Sequence, residues 1–326
     1  MKKTDIGSTV LRTATQQKAF LAIIGIAVLM GLSPLFGNEH NFFTQYNIYD
    51  MLNSTSILVI VGFGITLVTI AGGIDLSVGG TYVIGGIVAI QFMNVMPIPL
   101  AIVCAVLVCA CIGAINGYLV VYHKLEPFII TLGMGFLLKG VALQITDARP
   151  ISPKSLAFMK IANYKVWGTV PRLIPITLVF FVLVYILLRY TQYGRNLYAI
   201  GGDYEVAEYS GIKVKIIRAS TYVLSASLAA VAGILLSSKL NSGSAVYGDL
   251  VTLYVICACV VGGISLAGGV GGATRALLGL LMFGVMQNAL NMLSIDPYIQ
   301  DLIIGIVIVT IIGLDSYSRK RKREMV

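Results

Sequence analysis

Two glycine-rich segments, at 72–80 and 262–269, hold the residues whose types and spacing favour a polar path through an otherwise apolar protein. They read Gly-Gly-Ile-Asp-Leu-Ser-Val-Gly-Gly and Gly-Gly-Ile-Ser-Leu-Ala-Gly-Gly, and each follows an apolar run. Matching glycines let helices break, and the freed backbone groups are tolerated at membrane depth only where they line a cavity or are buried in protein. The match suggests an internal repeat, which is parallel if both copies end a span at the inner face and can be inverted if either copy is a broken half-helix.

Asp75 is the only acidic side chain in either segment. An ionisable group near membrane depth is a candidate for lining a path. It is an equally good candidate for the N-cap of the span that follows, so both interpretations stay open. Buried amides are suited either to contacts between helices or to solute hydroxyl groups. The path candidates are Gly73, Asp75, Ser77, Gly79, Asn116, Gly263, Gly269, Asn288 and Asn291.

The chain has no residue pattern typical of an active site or a metal centre. His40 and His123 are far apart in the sequence, and the five cysteines lie inside apolar runs without a metal-binding or redox spacing. No Gly-x-x-x-x-Gly-Lys-Ser/Thr phosphate loop occurs, so any nucleotide must be bound by another chain. We therefore expect no catalytic residue, no metal and no cofactor, with ATP bound by a partner subunit.

Composition indicates a polytopic helical membrane protein. The chain is 57% hydrophobic and 11% charged, with a mean hydropathy of +0.90. Its apolar runs recur near the roughly 20 residues that a helix needs to cross a bilayer. We predict an all-α transmembrane bundle of about ten spans forming one domain, 1–326. The predicted spans are 18–36, 54–72, 75–96, 98–122, 127–146, 173–190, 218–238, 250–268, 273–293 and 298–314.

The distribution of lysine and arginine predicts the orientation of these spans. With both termini in the cytoplasm, sixteen basic residues lie inside and six outside, in agreement with the positive-inside rule. Lys139 falls within a span, about two turns from its outer end, where its ammonium can snorkel to the interface. The net charge of +9 is explained by span ends and by the basic tail at 319–323, which can rest on anionic membrane lipid, so we expect no nucleic-acid partner.

A polar cytoplasmic segment at 189–218 separates two uncharged runs. Asp203 is placed to cap a short helix through Glu205, Ala207 and Glu208, and Gly211 is placed to end it in a left-handed conformation. A helix of roughly two turns is unstable alone, so it needs a docking surface. This predicts a protein partner on the cytoplasmic face.

The motifs of this chain resemble those of the permease subunits of bacterial ATP-binding-cassette importers for monosaccharides. That group covers ribose, xylose, arabinose and galactose and includes the autoinducer-2 permeases. The resemblance runs nearly end to end, and only the 272–275 segment departs from the usual small residues. Its motifs are Gly72 to Gly79, Gly113 to Gly117, Pro127 to Gly133, Gly194 to Asn196 leading to Gly202, Gly211-Ile212, Gly262 to Ser265, and the C-terminal Asn288, Asn291, Gln300 and Gly305.

The resemblance implies a permease in the bacterial inner membrane with three kinds of protein partner. A second permease copy, identical or related, would complete the pore, and a periplasmic sugar-binding protein would deliver the ligand. Two ATP-binding subunits would grip the cytoplasmic segment. The residues predicted to couple to them are Gly194, Arg195, Asn196, Asp203, Glu205, Ala207, Glu208 and Gly211.

The outer loop at about 147–172 breaks the positive-inside trend, which suggests electrostatic docking of the binding protein, although a solvated loop fits nearly as well. Its basic residues are Arg149, Lys154, Lys160, Lys165 and Arg172.

Two alternatives to a sugar permease stay open. One is a branched-chain amino-acid importer permease, and the other is an ion-coupled secondary carrier. The sequence does not specify which sugar would be carried.

Overall fold

The computed structural model describes residues 23–26, 28, 42–166, 168–307 and 309–310. Most of the predicted first span and the whole basic tail at 319–323 lie outside these residues. The described chain is almost entirely helical. Its helices are α1 Gln45–Ile70, α2 Val78–Phe92, α3 Ile98–Val121, α4 Pro127–Thr146, α5 Leu156–Asn163, α6 Leu173–Tyr190, α7 Gln192–Gly202, α8 Tyr204–Tyr209, α9 Val214–Leu240, α10 Val251–Val261, α11 Ala273–Met292 and α12 Pro297–Val307. A 3-10 turn, Ala245–Gly248, precedes α10, and strands β1 Lys165–Val166 and β2 Val170–Pro171 form a small antiparallel hairpin.

Six described helices, α1, α3, α4, α6, α9 and α11, are long and apolar enough to cross a membrane. The protein is therefore a multi-pass membrane protein. Two predicted spans, 75–96 and 250–268, correspond instead to shorter apolar helices, Val78–Phe92 and Ala245–Val261. The predicted span 298–314 is described only in part, and its described residues include the helix Pro297–Val307.

Helix α9 forms the centre of the bundle and contacts α1, α2 and α3 closely. Gly113 and Gly117 on α3 lie one turn apart and face it, because a Cβ at either position would overlap the carbonyl oxygen of Tyr222 or Ala219. Small residues at such spacing let membrane helices approach backbone to backbone. The Gly113 to Gly117 motif therefore helps to fix the helices that surround the candidate site.

The first glycine-rich segment is a break in a span. Helix α1 ends at Ile70 and is closed by Gly72, whose φ of +72° favours glycine, and the chain then runs without helix to residue 77. This extended stretch follows α9: Arg218 donates to the Gly72 carbonyl (3.1 Å), and Ser225 donates to Asp75 (2.9 Å). Since a helix rises 1.5 Å per residue, the stretch advances about 10 Å along α9 before α2 begins. The predicted span 75–96 thus starts as extended chain.

A second break precedes α10. Gly243 pairs with Ile151 of the outer loop, and the chain then passes through the 3-10 turn before α10 begins at Val251. Helix α10 has only 11 residues and ends at the second glycine-rich segment. Gly263 there has a φ of +97°. The second apolar span is thus also part helix and part irregular chain.

The two glycine-rich segments end their helices in the same way. Gly73 N–H donates to the Val68 carbonyl (3.0 Å), and Ile264 N–H donates to that of Cys259 (3.0 Å). Both are the outer hydrogen bond of a Schellman cap, which closes a helix around a left-handed residue. The left-handed residue is the first glycine of the pair at 72–73 but the second glycine of the pair at 262–263. The structural match is therefore shifted by one residue from the sequence match.

Candidate functional site

The chain crosses itself where the first turn of α2, just after the first break, touches the 3-10 turn of the second break. The N–H of Gly79 donates to the Thr252 hydroxyl (2.8 Å). A Cβ on Gly248 would overlap the Gly79 carbonyl oxygen, and one on Gly79 would overlap that of Gly248. Only glycine permits this approach of two chains. The crossing joins the start of α2 to the start of α10.

A cavity of about 410 Å³ opens beside this crossing, between α2, α4 and α10. Its polar feature is an ion pair: the Lys139 ammonium lies 2.6 Å from an Asp249 carboxylate oxygen, and both side chains are 43% exposed. The surrounding wall is mainly apolar. Its members include Leu76, Gly79, Val83, Leu132, Phe136, Gly248, Thr252 and Leu253.

Charges inside a membrane protein face water or other protein rather than lipid, because burial of a charge in hydrocarbon is costly. The Lys139–Asp249 pair therefore indicates a hydrated or protein-covered cavity. The sequence analysis assigned Lys139 to snorkelling and did not single out Asp249. A lysine within one apolar run and an aspartate at the start of another were the available signals, but their pairing depends on tertiary structure.

Asp75 is buried, with 3% of its surface exposed, and its carboxylate is fully engaged. One oxygen accepts hydrogen bonds from the N–H and the hydroxyl of Ser77 (3.0 and 2.6 Å), and the other accepts one from the hydroxyl of Ser225 (2.9 Å). The N-cap of α2 is Ser77, so Asp75 lies two residues before the cap, and its bonds to Ser77 hold the extended stretch that leads into α2. The positive end of the α2 dipole also favours a carboxylate there.

A buried polar seam extends from Asp75 to neighbouring helices. Asn116 of α3 donates to the Ser77 hydroxyl (2.9 Å), and Thr131 of α4 accepts from the N–H of Leu76 (2.9 Å). Asn116 is 1% exposed, and its carbonyl oxygen has no hydrogen-bond partner among the described residues. The seam joins the start of α2 to α3, α4 and α9.

The other amide candidates lie elsewhere. Asn288 and Asn47 exchange two hydrogen bonds (3.0 and 2.8 Å) and so join α11 to the first turn of α1. Asn291 accepts from Gln300 (2.9 Å). About 35 Å of α1 separates Asn47 from the break at Gly72. The structure therefore does not bring these amides to the Asp75 seam.

The two glycine-rich segments also contact each other, at a point separate from the crossing. Gly269 N–H donates to the Ile70 carbonyl (2.9 Å), and a Cβ on Gly268 would lie 2.9 Å from the Gly72 Cα. Gly201 of α7 packs into the same point, because a Cβ there would overlap the Ile70 carbonyl oxygen. The 189–218 segment thus contacts the end of α1 and the second glycine-rich segment directly. Of the remaining path candidates, Gly73 packs against the Tyr222 hydroxyl and Gly263 accepts from Arg275 (2.9 Å).

The short helix predicted in the 189–218 segment is confirmed as α8. Asp203 accepts from the N–H of Val206 (3.0 Å), and Gly211, with a φ of +79°, closes a Schellman cap with the carbonyls of Ala207 and Glu208. Ala207 is buried. The outer surface of α8 carries Tyr209, which is 90% exposed, and Val206, which is 60% exposed.

The structure adds helix α7, which the sequence analysis missed because its three glycines disfavour helix. Two of those glycines are required by close packing: a Cβ on Gly194 would overlap the carbonyl oxygens of Leu187 and Leu188, and Gly201 meets Ile70. Tyr193 shares a hydrogen bond with Ser220 (2.7 Å). Burial raises the pKa of Tyr193, and the bond to Ser220 lowers it by less. Helices α7 and α8 are therefore anchored to the membrane bundle.

The basic outer loop is a folded unit. Ser238, near the end of α9, accepts from the N–H of Ala162 (3.0 Å) and donates to the Phe158 carbonyl (2.6 Å). Arg172 lies over the Tyr164 ring at 4.4 Å. Four of the predicted docking residues, Arg149, Lys154, Lys160 and Lys165, are exposed, while Arg172 is half-buried.

Comparisons with known proteins agree with the resemblance drawn from the motifs. The profile of a family described as "Branched-chain amino acid transport system / permease component" matches residues 47–312. The chain is 34% identical over 328 residues to the ribose import permease protein RbsC of Haemophilus influenzae, covering 99% of both chains. It is 33% identical to the D-allose transport system permease protein AlsC of Escherichia coli, covering 92% of this chain and 91% of the relative. It is 31% identical to the galactose/methyl galactoside import permease protein MglC of Escherichia coli, covering 95% and 100%. No solved structure matches the chain.

Proposed function

Since the chain belongs to the branched-chain amino acid transport system permease family, we propose that it is the membrane subunit of an ATP-binding-cassette importer for a monosaccharide. The observation that carries the sugar assignment is the near full-length similarity to permeases named for ribose, allose and galactose. The protein is a transport subunit and not an enzyme. The family description names amino acids, but these sugar permease relatives do not favour that alternative.

We propose that the sugar passes the cavity beside the crossing of the two breaks. A monosaccharide must exchange water for protein hydrogen bonds, yet tight binding would trap it. A few polar groups between apolar walls meet both needs, and the Lys139–Asp249 pair with Thr252 supplies them. Gly79 is the sequence candidate that lines this cavity. Asp75, Ser77 and Asn116 form the seam that holds the first turn of α2 behind it.

The 189–218 segment is proposed to receive the ATP-binding subunit. Its exposed Tyr209 and Val206 form an apolar patch beside Glu205 and Glu208, as expected of a docking surface. Movement of α7 would be transmitted to the two glycine-rich segments through Gly201, which packs against Ile70 and Gly269. Gly194, Arg195, Asn196, Asp203, Ala207 and Gly211 are proposed to shape this unit.

The remaining architecture is proposed as one domain of ten spans in the bacterial inner membrane, with both termini in the cytoplasm. Six long helices, three shorter apolar ones and the run at 18–36 support that count. The shared caps at Gly72 and Gly263 support an internal repeat. A second permease copy, identical or related, would cover the open side of the cavity.

The outer loop is proposed to receive a sugar-binding protein with acidic lobes. Steering by exposed charges weakens as salt shortens the Debye length, so association should slow as the salt concentration rises. Replacing Arg149, Lys154 and Lys165 with glutamine should remove most of that dependence. The docking proposal would be wrong if the association rate of the binding protein changed neither with the salt concentration nor with these replacements.

The test of the overall function is reconstitution of the tagged permease, with the subunits that co-purify, in sealed vesicles. We expect uptake of labelled ribose, allose or galactose to require ATP and the binding protein. Uptake of leucine instead would favour the amino-acid importer. Sugar uptake driven by a proton gradient without ATP would favour the secondary carrier.

A further inference from the structure

One face of α9 holds the first break through side chains at positions 218, 222 and 225. The Arg218 guanidinium donates to the Gly72 carbonyl (3.1 Å). The Tyr222 hydroxyl donates to the Ile74 carbonyl (3.4 Å), and Ser225 holds the carboxylate described above. Residues three and four apart lie on one face of a helix, so this row follows the extended stretch along α9. The position of the break is therefore set in part by α9.

Arg218 also contacts the short helix α8. Its guanidinium carbon lies 5.9 Å from the centre of the Tyr204 ring, within the range of a cation–π interaction. Tyr204 is the first residue of α8, directly after the Asp203 cap, and it packs with the buried Ala207 and Val214. One side chain thus touches both the predicted coupling helix and the backbone of the break.

This contact can transmit movement in both directions along its length. The packing of Gly201 against Ile70 is steric, so α7 can push the end of α1 but cannot pull it. A hydrogen bond and a cation–π interaction are attractive and resist separation as well. Arg218 therefore supplies a connection that close packing alone does not.

The guanidinium of Arg218 is only partly satisfied in this arrangement. Its Nε is buried without a hydrogen-bond partner among the described residues, and within the same part of the chain it forms no ion pair with a carboxylate. A buried donor without an acceptor costs free energy, which is recovered when an acceptor comes within reach. The side chain is thus suited to a change of partner when α8 moves.

We propose that Arg218 is a positioning residue that couples α8 to the first break. Docking of the ATP-binding subunit on α8 would shift Tyr204, and Arg218 would carry that shift to the Gly72 carbonyl. This inference rests on the proposed function, because it names how one part of the importer drives another. Arg218 itself contacts neither sugar nor nucleotide.

The first test measures the contact without transport. Hydrogen exchange of the backbone amides at 72–77 is followed by mass spectrometry on the full-length chain in nanodiscs. Arg218→Met removes the donor and should speed exchange roughly tenfold, the factor expected for one hydrogen bond from a charged group. Tyr204→Leu removes the ring and should speed it about threefold, whereas Tyr204→Phe keeps the ring and should match the wild type.

The second test measures coupling in sealed vesicles, as ATP hydrolysed per sugar taken up. Arg218→Met should raise this ratio roughly tenfold while the ATP-binding subunit stays bound. Arg218→Lys keeps a charged donor and should restore most of the coupling. The matched control is Lys124→Met, which removes one positive charge from an exposed residue outside the 189–218 segment and should leave exchange and coupling unchanged.

Four results would overturn the inference. The first is wild-type exchange and coupling in Arg218→Met, and the second is faster exchange with unchanged coupling, which would leave Arg218 a purely structural role. The third applies even if Arg218→Met does not insert: equal exchange and coupling in Tyr204→Leu and Tyr204→Phe. The fourth is distinct from these, since absence of ATP-driven uptake in the wild type would overturn the proposed function and this inference with it.

Discussion

The two broken spans each contain an aspartate, and the structure gives these residues opposite surroundings. Asp75, beside the first break, is 3% exposed and accepts three hydrogen bonds. Asp249, beside the second, is 43% exposed and forms an ion pair with Lys139 in the cavity. The same residue type therefore serves two purposes in the two broken spans.

The difference identifies which carboxylate can meet a solute. Asp75 cannot move without leaving Ser77 and Ser225 donors unsatisfied in the interior, which is costly. Asp249 can exchange its partner for a hydroxyl group at little cost, because a half-exposed ion pair contributes little to stability. Asp75 is therefore expected to govern folding, and Asp249 to govern transport. The following variants test that division, from the largest expected effect on stability to the smallest.

Replacement of Asp75 should have the largest effect. Asp75→Leu leaves three buried donors without an acceptor, and we expect it to lower the free energy of unfolding by about 3 kcal/mol or more. Asp75→Asn keeps an acceptor for the Ser77 N–H, so it should cost less than half as much. Denaturant titration in detergent measures both. Equal, small losses in the two variants would contradict a structural role for this carboxylate.

Replacement of Gly201 tests whether α7 couples to the two glycine-rich segments. Gly201→Ala forces a methyl group into the Ile70 carbonyl and should cost about 1–3 kcal/mol. It should also uncouple ATP hydrolysis from uptake, because α7 then shifts against both glycine-rich segments. Gly202→Ala is the matched control, since nothing lies within 4 Å of a Cβ there. If both variants couple normally in vesicles, α7 does not transmit movement through Gly201.

Replacement of the ion pair should have the smallest effect on stability. Asp249→Asn and Lys139→Gln should each change the free energy of unfolding by less than about 1 kcal/mol. Sugar uptake should nevertheless fall about tenfold, the loss expected for one hydrogen bond to a charged group. Asp296→Asn, at an exposed residue outside the cavity, is the control. If the wild type takes up sugar and both Asp249→Asn and Lys139→Gln take it up at the same rate, the ion pair does not contact the sugar.

Much of the local structure was readable in the sequence because it depends on neighbouring residues. The α8 helix, its Asp203 cap and the left-handed Gly211 follow from short-range rules and are confirmed. The close approach of Gly79 to Gly248 does not follow from such rules. It depends on how two distant segments pack.

The same distinction explains what was missed at the candidate site. The pairing of Lys139 with Asp249 joins residues 110 positions apart in the chain. Nothing in the sequence indicates which residues of the two segments lie opposite each other. A charged pair in the cavity was not expected from the sequence. Helix α7 was hidden because its glycines, which are needed for close packing, lower its helix propensity.

We propose that solute passes beside Asp249 and not through the Asp75 seam. Single cysteines at Leu253 and at Asn116, in a variant without the five native cysteines, test it directly with a small charged thiol reagent that does not cross the membrane. Leu253 lines the cavity and is 57% exposed, whereas Asn116 is 1% exposed. We predict that the cysteine at 253 reacts at a rate that changes with nucleotide state, and that the cysteine at 116 stays unreactive in every state. Reaction at 116 with none at 253 would contradict the account.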